Sequence, residues 1–364
     1  MAKAVCKTLF PTMVIGSLPR PQWIRELIEN RKNGYVTDKD ANRVLDHAIL
    51  MAIRMQEQAG LDFISDGEWR RESYVKVFSD AVEGFMPDLL GGGKSQYSGV
   101  PYPAVVSKLL AKRPIASEEG KFLRKHTNSM ITVAIPSPYT IGRRMWSAEH
   151  STPAYSTREE FMDACIPIIR HEIQNLAQVG VNAIQIDDPW LAVLVDPERR
   201  RQDGITNIEH EIELSVKCIN GVTEGVQNVF LSLHLCHAHF NRRHGTKGPY
   251  HLIMGALAQM NKIQRFAMEL ATPDAGGIEV LRDFPQDKIL GLGVIDHTDT
   301  HIETPQEVAS RVEKALRYVP MERITLNPDC GFSPSSANPM DLDEAYLKLR
   351  AMCRGAKLLR ELHG

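Results

Sequence analysis

No run of apolar residues in the 364-residue chain is longer than a strand, so nothing in it reads as a membrane-spanning helix. Residues 1–7 do not open a secretory signal core followed by a small-residue cleavage site, and a cytoplasmic location is expected. Charge of one sign is missing as well. The 43 Lys and Arg against 45 Asp and Glu leave a net charge of -2, too little to gather nucleic acid or an anionic membrane, and neither is expected as a partner. The first β-rich run ends in Ile15-Gly16-Ser17-Leu18-Pro19-Arg20, without the glycine pattern of a dinucleotide site, and no Gly-Lys-Ser/Thr phosphate loop occurs. Cysteine is scarce: six residues, at 6, 165, 218, 236, 330 and 353, are scattered along a long chain, which argues for thiols or metal ligands over a disulfide framework.

What is present is ample core material, 43% hydrophobic residues with 24% charged. Eight short β-rich runs recur, at 13–17, 61–66, 131–136, 183–188, 229–235, 266–270, 289–295 and 324–327. Amphipathic stretches at 40–59, 159–179, 207–226, 305–318 and 342–362 are long enough for crossover helices. Eight strands alternating with helices predict an α/β protein, a single (β/α)8 barrel of the TIM type. Residues 83–126 form an irregular excursion after the second strand, too long for an ordinary connection, and are expected to elaborate the barrel mouth. No linker divides the chain, so residues 1–364 are expected to be one catalytic domain.

In such a barrel the chemistry sits where the strands end. Those ends carry Gly16-Ser17, Asp66-Gly67-Glu68, Asp187-Asp188, His234-Leu235-Cys236, Glu269, Asp296-His297 and Asp329-Cys330. Strand ends face water and are often polar, but two cysteines, a histidine and a glutamate on three separate strands are all competent metal ligands. His234 and Cys236 lie two apart, so on a strand both face one way, roughly 6.5–7 Å apart along the chain. With Glu269 and Cys330 they would make a set of one nitrogen, two sulfurs and one oxygen, which selects zinc over magnesium or calcium. His237 and His239 compete as ligands from the same run. Cys6, Cys165, Cys218 and Cys353 have no such partners and read as ordinary thiols.

These residues carry a resemblance. Ile15-Gly16-Ser17, Asp66-Gly67-Glu68, Ile184-Gln185-Ile186-Asp187-Asp188-Pro189, His234-x-Cys236, Glu269 and Asn327-Pro328-Asp329-Cys330-Gly331 resemble, in order, the catalytic barrel of the cobalamin-independent methionine synthase family. The resemblance runs from about residue 13 to 362 and is weakest over 83–126. It implies zinc held by His234, Cys236, Glu269 and Cys330; homocysteine held by Glu68 and Asp187; and a backbone segment, Ile15, Gly16 and Ser17, at the amino-acid end of the substrate. The chain also departs from the family's pattern. The family's proton-moving histidine after strand seven falls one position early here, which leaves His297, His301 and Asp296 as candidate acids. The stretch 135–139 and the residues after Cys330 also differ, on the methyl-donor side. Full-length members pair two barrels and this chain shows one, so poor use of a polyglutamate tail is expected.

The expected reaction is methyl transfer to the thiol of homocysteine, giving methionine, with 5-methyltetrahydrofolate or another methyl donor. One alternative keeps the zinc-thiolate half and takes methyl from a corrinoid protein, or opens an epoxide with a thiol such as coenzyme M. A zinc hydrolase on the same barrel would favour His and carboxylate ligands and a His-x-His on strand one, which is absent. A purely structural zinc would bring its ligands closer in sequence than Cys236 and Cys330.

Overall fold

The computed structural model describes residues 8–92, 101–333 and 339–364. Its strands are β1 (Phe63–Ile64), β2 (Val82–Leu90), β3 (Pro103–Ala111), β4 (Met130–Pro136), β5 (Ala183–Asp187), β6 (Phe230–Leu235), β7 (His239–Phe240), β8 (Arg243–His244), β9 (Arg265–Met268), β10 (Ile289–Ile295) and β11 (Ile324–Pro328). Seven of these, in the order β1-β4-β5-β6-β9-β10-β11, form one sheet, every pair in it parallel. Thr12 and Met13 close the ring. Thr12 bridges to Leu326 of β11 and Met13 to Phe63 of β1, both parallel, so eight chain segments encircle the axis. The expected barrel is observed, with its first strand reduced to a bridge and its second to two residues.

The long helices fall where the periodicity placed them, at Asp38–Ala59, Arg158–Gln178, Ile208–Thr223, Pro305–Ala315 and Leu342–His363. Their starts are set by local chemistry. Thr37, Thr157 and Asn207 each accept a backbone N–H in the first turn, and Thr304 with Glu307 forms a reciprocal capping box. The excursion at 83–126 holds the antiparallel hairpin β2–β3 and a helix at Ser117–His126; residues 93–100 lie outside the described residues.

The barrel interior is layered, and the layering places the site. At the amino ends of the strands Met13, Phe63, Ala183, Phe230 and Ile289 form an apolar plug. Above it sits the fully buried Arg265 of β9. Its Nε donates to Thr325 Oγ1 at 2.7 Å, its Nη1 to Ser232 Oγ at 2.9 Å and its Nη2 to Asn327. Burial drops its pKa to about 9. Gly291 on β10 makes the room, because a Cβ there would lie 2.5 Å from the Arg265 guanidinium. The next layer up, at the carboxyl ends, is the site.

Candidate active site and metal centre

β6 carries His234 and ends one residue before Cys236, so the period of two turns both side chains to the barrel axis. Cys330 follows β11 and arrives from three strands away. One ligand atom from each of these three buried residues lies within 4.8 Å of the others, and Cys330 Sγ stands 3.8 Å from His234 Nε2. The hydrogen bond from Cys330, with His234 beside it, holds the Cys236 thiol well below its ordinary pKa, while burial and the Cys236 charge push Cys330 well above. Burial opposes protonation of His234, but Cys236, Asp187 and Glu269 together outweigh it and lift the imidazole to about 8. A buried, soft, electron-rich donor set of this kind suits a borderline ion such as zinc.

These residues form one wall of a pocket of about 50 Å³ whose other walls include Ile15, Ser17, Glu68, Tyr74, Arg144 and Asp187. Asp187 ends β5 and accepts from Gln185 Nε2 at 2.8 Å; the same amide also donates to Ile15 O. Burial pushes Asp187 up to about 7. Glu68 sits in the left-handed region, φ 58°, with its N–H donating to Asp66 Oδ1 at 2.8 Å. Burial raises its pKa too. Its carboxylate lies 3.5 Å from Arg71 Nη1, and Arg71 is also gripped by Glu119. Glu68 therefore has both a structural ion pair and a place on the pocket wall. Arg20 locks this corner, donating to Glu68 O, Arg71 O and Ser333 O at 2.7, 2.8 and 3.0 Å.

Glu269 follows β9 and is fully buried. Its Oε2 accepts from the His237 N–H and faces His237 Nδ1, both at 2.8 Å, with His244 Nδ1 at 3.5 Å; its Oε1 has no partner. It groups with His244 and His297, not with His234, Cys236 and Cys330. Of the three candidate acids the structure brings only His297 close. His297 is buried, neither ring nitrogen has a partner, and its ring stands 4.0 Å from that of His239. Burial holds its pKa well below the ordinary histidine value. Asp296 and His301 stand apart because local structure engages them: Asp296 Oδ1 accepts from Thr298 N and Oγ1 at 2.7 Å, and the half-exposed His301 pairs with Glu307 at 3.2 Å.

Sequence reasoning did not single out Tyr74 and Arg144, weighed His239 as a competing metal ligand, and noted Gly331 only within the Cys330 motif. All four line the pocket. His239 comes in on the hairpin β7–β8, whose two-residue turn, Asn241-Arg242, has both residues at positive φ, 50° and 58°. Such a turn is signalled by Asn-Gly, and the arginine hides it. Arg242 is held there by Glu344. His237, the other competing ligand, is engaged by Glu269 and by Gly248 O at 2.9 Å. Of the thiols read as ordinary, Cys165, Cys218 and Cys353 are buried and free; Cys6 lies outside the described residues. A wider cleft of about 760 Å³ lies beside the site, but its Arg143, Arg158 and Arg199 are already paired with Asp203 or Glu211. No helix among the described residues is long and apolar enough to cross a membrane.

Fold and site together define a (β/α)8-barrel enzyme with a thiolate and imidazole metal-type centre where its strands end. The chain belongs to the cobalamin-independent synthase family, whose catalytic-domain model matches residues 10–358. Methionine synthases of Saccharolobus solfataricus and Thermococcus kodakarensis are 31% and 29% identical to it; each alignment covers 97% of this chain, and 96% and 94% of those proteins. The fold matches a B12-independent methionine synthase from Shewanella sp. W3-18-1, solved with selenomethionine, at TM-score 0.80 and 24% identity, over 98% of this chain and 99% of that one. A methyltransferase from Methanosarcina mazei is more distant, at TM-score 0.58 and 14% identity, over 97% and 95%.

Proposed function

We propose that the protein transfers a methyl group from 5-methyltetrahydrofolate to the sulfur of homocysteine, giving methionine. The observation that carries this reading is the buried His234, Cys236 and Cys330 set opening on the same small pocket as Glu68 and Asp187. Those three residues would hold zinc, with Glu269 as the carboxylate assigned to its fourth position; zinc, when bound, keeps the substrate sulfur as a thiolate at neutral pH.

The chain's own residues do the rest. Glu68 and Asp187 accept the substrate ammonium, and charge-assisted hydrogen bonds to two carboxylates fix the sulfur's direction as well as its affinity. The backbone of Ile15, Gly16 and Ser17 borders the same end. The substrate sulfur forms a bond to the methyl carbon as the carbon–nitrogen bond of the donor breaks, and the leaving nitrogen takes a proton. His239, on the pocket wall, would give that proton, and the tilted His297 ring packs against it with centroids 4.0 Å apart. Burial lowers the His239 pKa, and its Nε2 meets Gly331 O at 3.0 Å.

The test pairs the zinc-loaded protein and homocysteine with methyltetrahydrofolate in one arm and methylcobalamin in another, following methionine. Methionine from the folate arm, abolished in Cys236→Ser and Cys330→Ser together with loss of the sulfur-bound metal, is the expected result. Methionine from methylcobalamin alone would transfer the reading to a corrinoid donor. Turnover only with a thiol lacking an amino group would reject homocysteine.

A further inference from the structure

Behind the pocket lies a second group of metal-competent side chains, which takes in Glu269, the carboxylate assigned to the first centre, and adds two histidines. His244 from β8, Glu269 after β9 and His297 after β10 each present a ligand atom within 4.8 Å of the others. All three side chains are buried, His244 at 3% exposure and the other two at none. The polar atoms there are poorly satisfied: Glu269 Oε1 and both ring nitrogens of His297 lack a hydrogen-bond partner, and His244 Nδ1 has only its 3.5 Å contact with Glu269 Oε2. Buried polar atoms left without partners are costly, so these, converging from three separate chain segments, call for a ligand that satisfies them together.

We propose that His244, Glu269 and His297 form a second metal site, for a divalent first-row transition ion, beside the His234, Cys236 and Cys330 centre. Two imidazoles and a carboxylate are a donor set for zinc, cobalt or iron, and contain no thiolate, so the two sites differ in chemistry. The surroundings supply the orienting hydrogen bonds such sites need. Glu269 Oε2 is fixed by the His237 N–H at 2.8 Å, and the remaining His244 nitrogen faces Thr272 Oγ1 at 3.3 Å. Glu269 is common to both centres, and a carboxylate has two oxygens with which to serve them. His244 follows directly on the turn at Asn241-Arg242, whose left-handed backbone is costly for arginine. The second site rests on burial and geometry and is independent of which methyl donor or thiol the enzyme uses.

The experiment counts metal in the full-length chain. The protein is stripped with chelator, reloaded with Co²⁺, passed through gel filtration and measured by mass spectrometry of the metal, with absorption recorded for the thiolate-to-cobalt charge-transfer band. Wild type is expected to retain two cobalt ions. His244→Ala and His297→Ala should each retain one and keep the thiolate band, whereas Cys236→Ser should lose the band and still retain one. A single ion in wild type overturns the proposal whether or not any variant folds, and leaves the buried atoms to water. Unchanged metal content in both histidine variants overturns it as well.

Discussion

Gly16 and Glu68 meet so closely that the site depends on an absent side chain. A Cβ at Gly16 would lie 2.4 Å from Glu68 Oε1, so Gly16→Ala must push the carboxylate off its position. If Glu68 holds the substrate ammonium, this variant binds homocysteine at least tenfold more weakly, about 1.4 kcal/mol, with metal content unchanged; calorimetric titration and metal analysis read the two separately. Unchanged affinity would remove Glu68 from the substrate's contacts. Asp187 adds a pH dependence. Its pKa is raised to about 7 by burial, so below that pH the carboxyl is increasingly neutral and has no charge to offer an ammonium. Homocysteine affinity should therefore fall as pH drops through about 7, and Asp187→Asn should give weaker binding with a flatter profile over the same range. A wild-type profile as flat as that of the variant would refute the assignment.

Elements are set by their ends in this protein. The capping box of Thr304 and Glu307 starts the helix Pro305–Ala315, which packs against Leu342–His363. Thr304→Ala should cost about 1 kcal/mol in a denaturant titration, with no change in metal content. The hairpin β7–β8 is held differently. Its turn residue Arg242 sits at φ 58° and is tied by the Glu344 carboxylate and by Asp299 O. Glu344→Ala should therefore loosen the hairpin locally, and amide exchange over residues 238–245 should speed up while β5 and β6 stay protected. Uniform acceleration across the chain would mean that the pair stabilises the whole barrel and not this turn.

For the whole molecule, the layering of the interior decides where chemistry can occur. The plug of Met13, Phe63, Ala183, Phe230 and Ile289 closes one end, and Arg265 with its three side-chain acceptors fills the middle, so only the carboxyl end is left for a ligand. Arg265→Met would strand Ser232, Thr325 and Asn327 without their donor. The expected loss is about 3 kcal/mol of stability, seen as a lower urea midpoint, with Cys236 and Cys330 still able to bind metal once the chain is folded. An unshifted midpoint would show that the three acceptors find other partners.

The alternation of apolar runs and amphipathic stretches was enough to place the barrel, because the strand and helix periods are local properties of the chain. Reading the strand ends was then enough to pick out His234, Cys236 and Cys330, as spacing two on one strand and a cysteine at another end are both visible in one dimension. The run at 13–17 pairs only through the bridges of Thr12 and Met13 and the expected excursion is the ribbon β2–β3, whereas the two-residue strands β7 and β8 escaped. Only the tertiary structure decided which histidines matter. His239 and His244 enter the site on a turn whose left-handed backbone is stabilised by Glu344, about a hundred residues away, and His301 leaves it for Glu307 on the adjacent helix. The partners of Glu269 were equally hidden, since three histidines from three segments converge on one buried carboxylate only after the strands have closed into a ring.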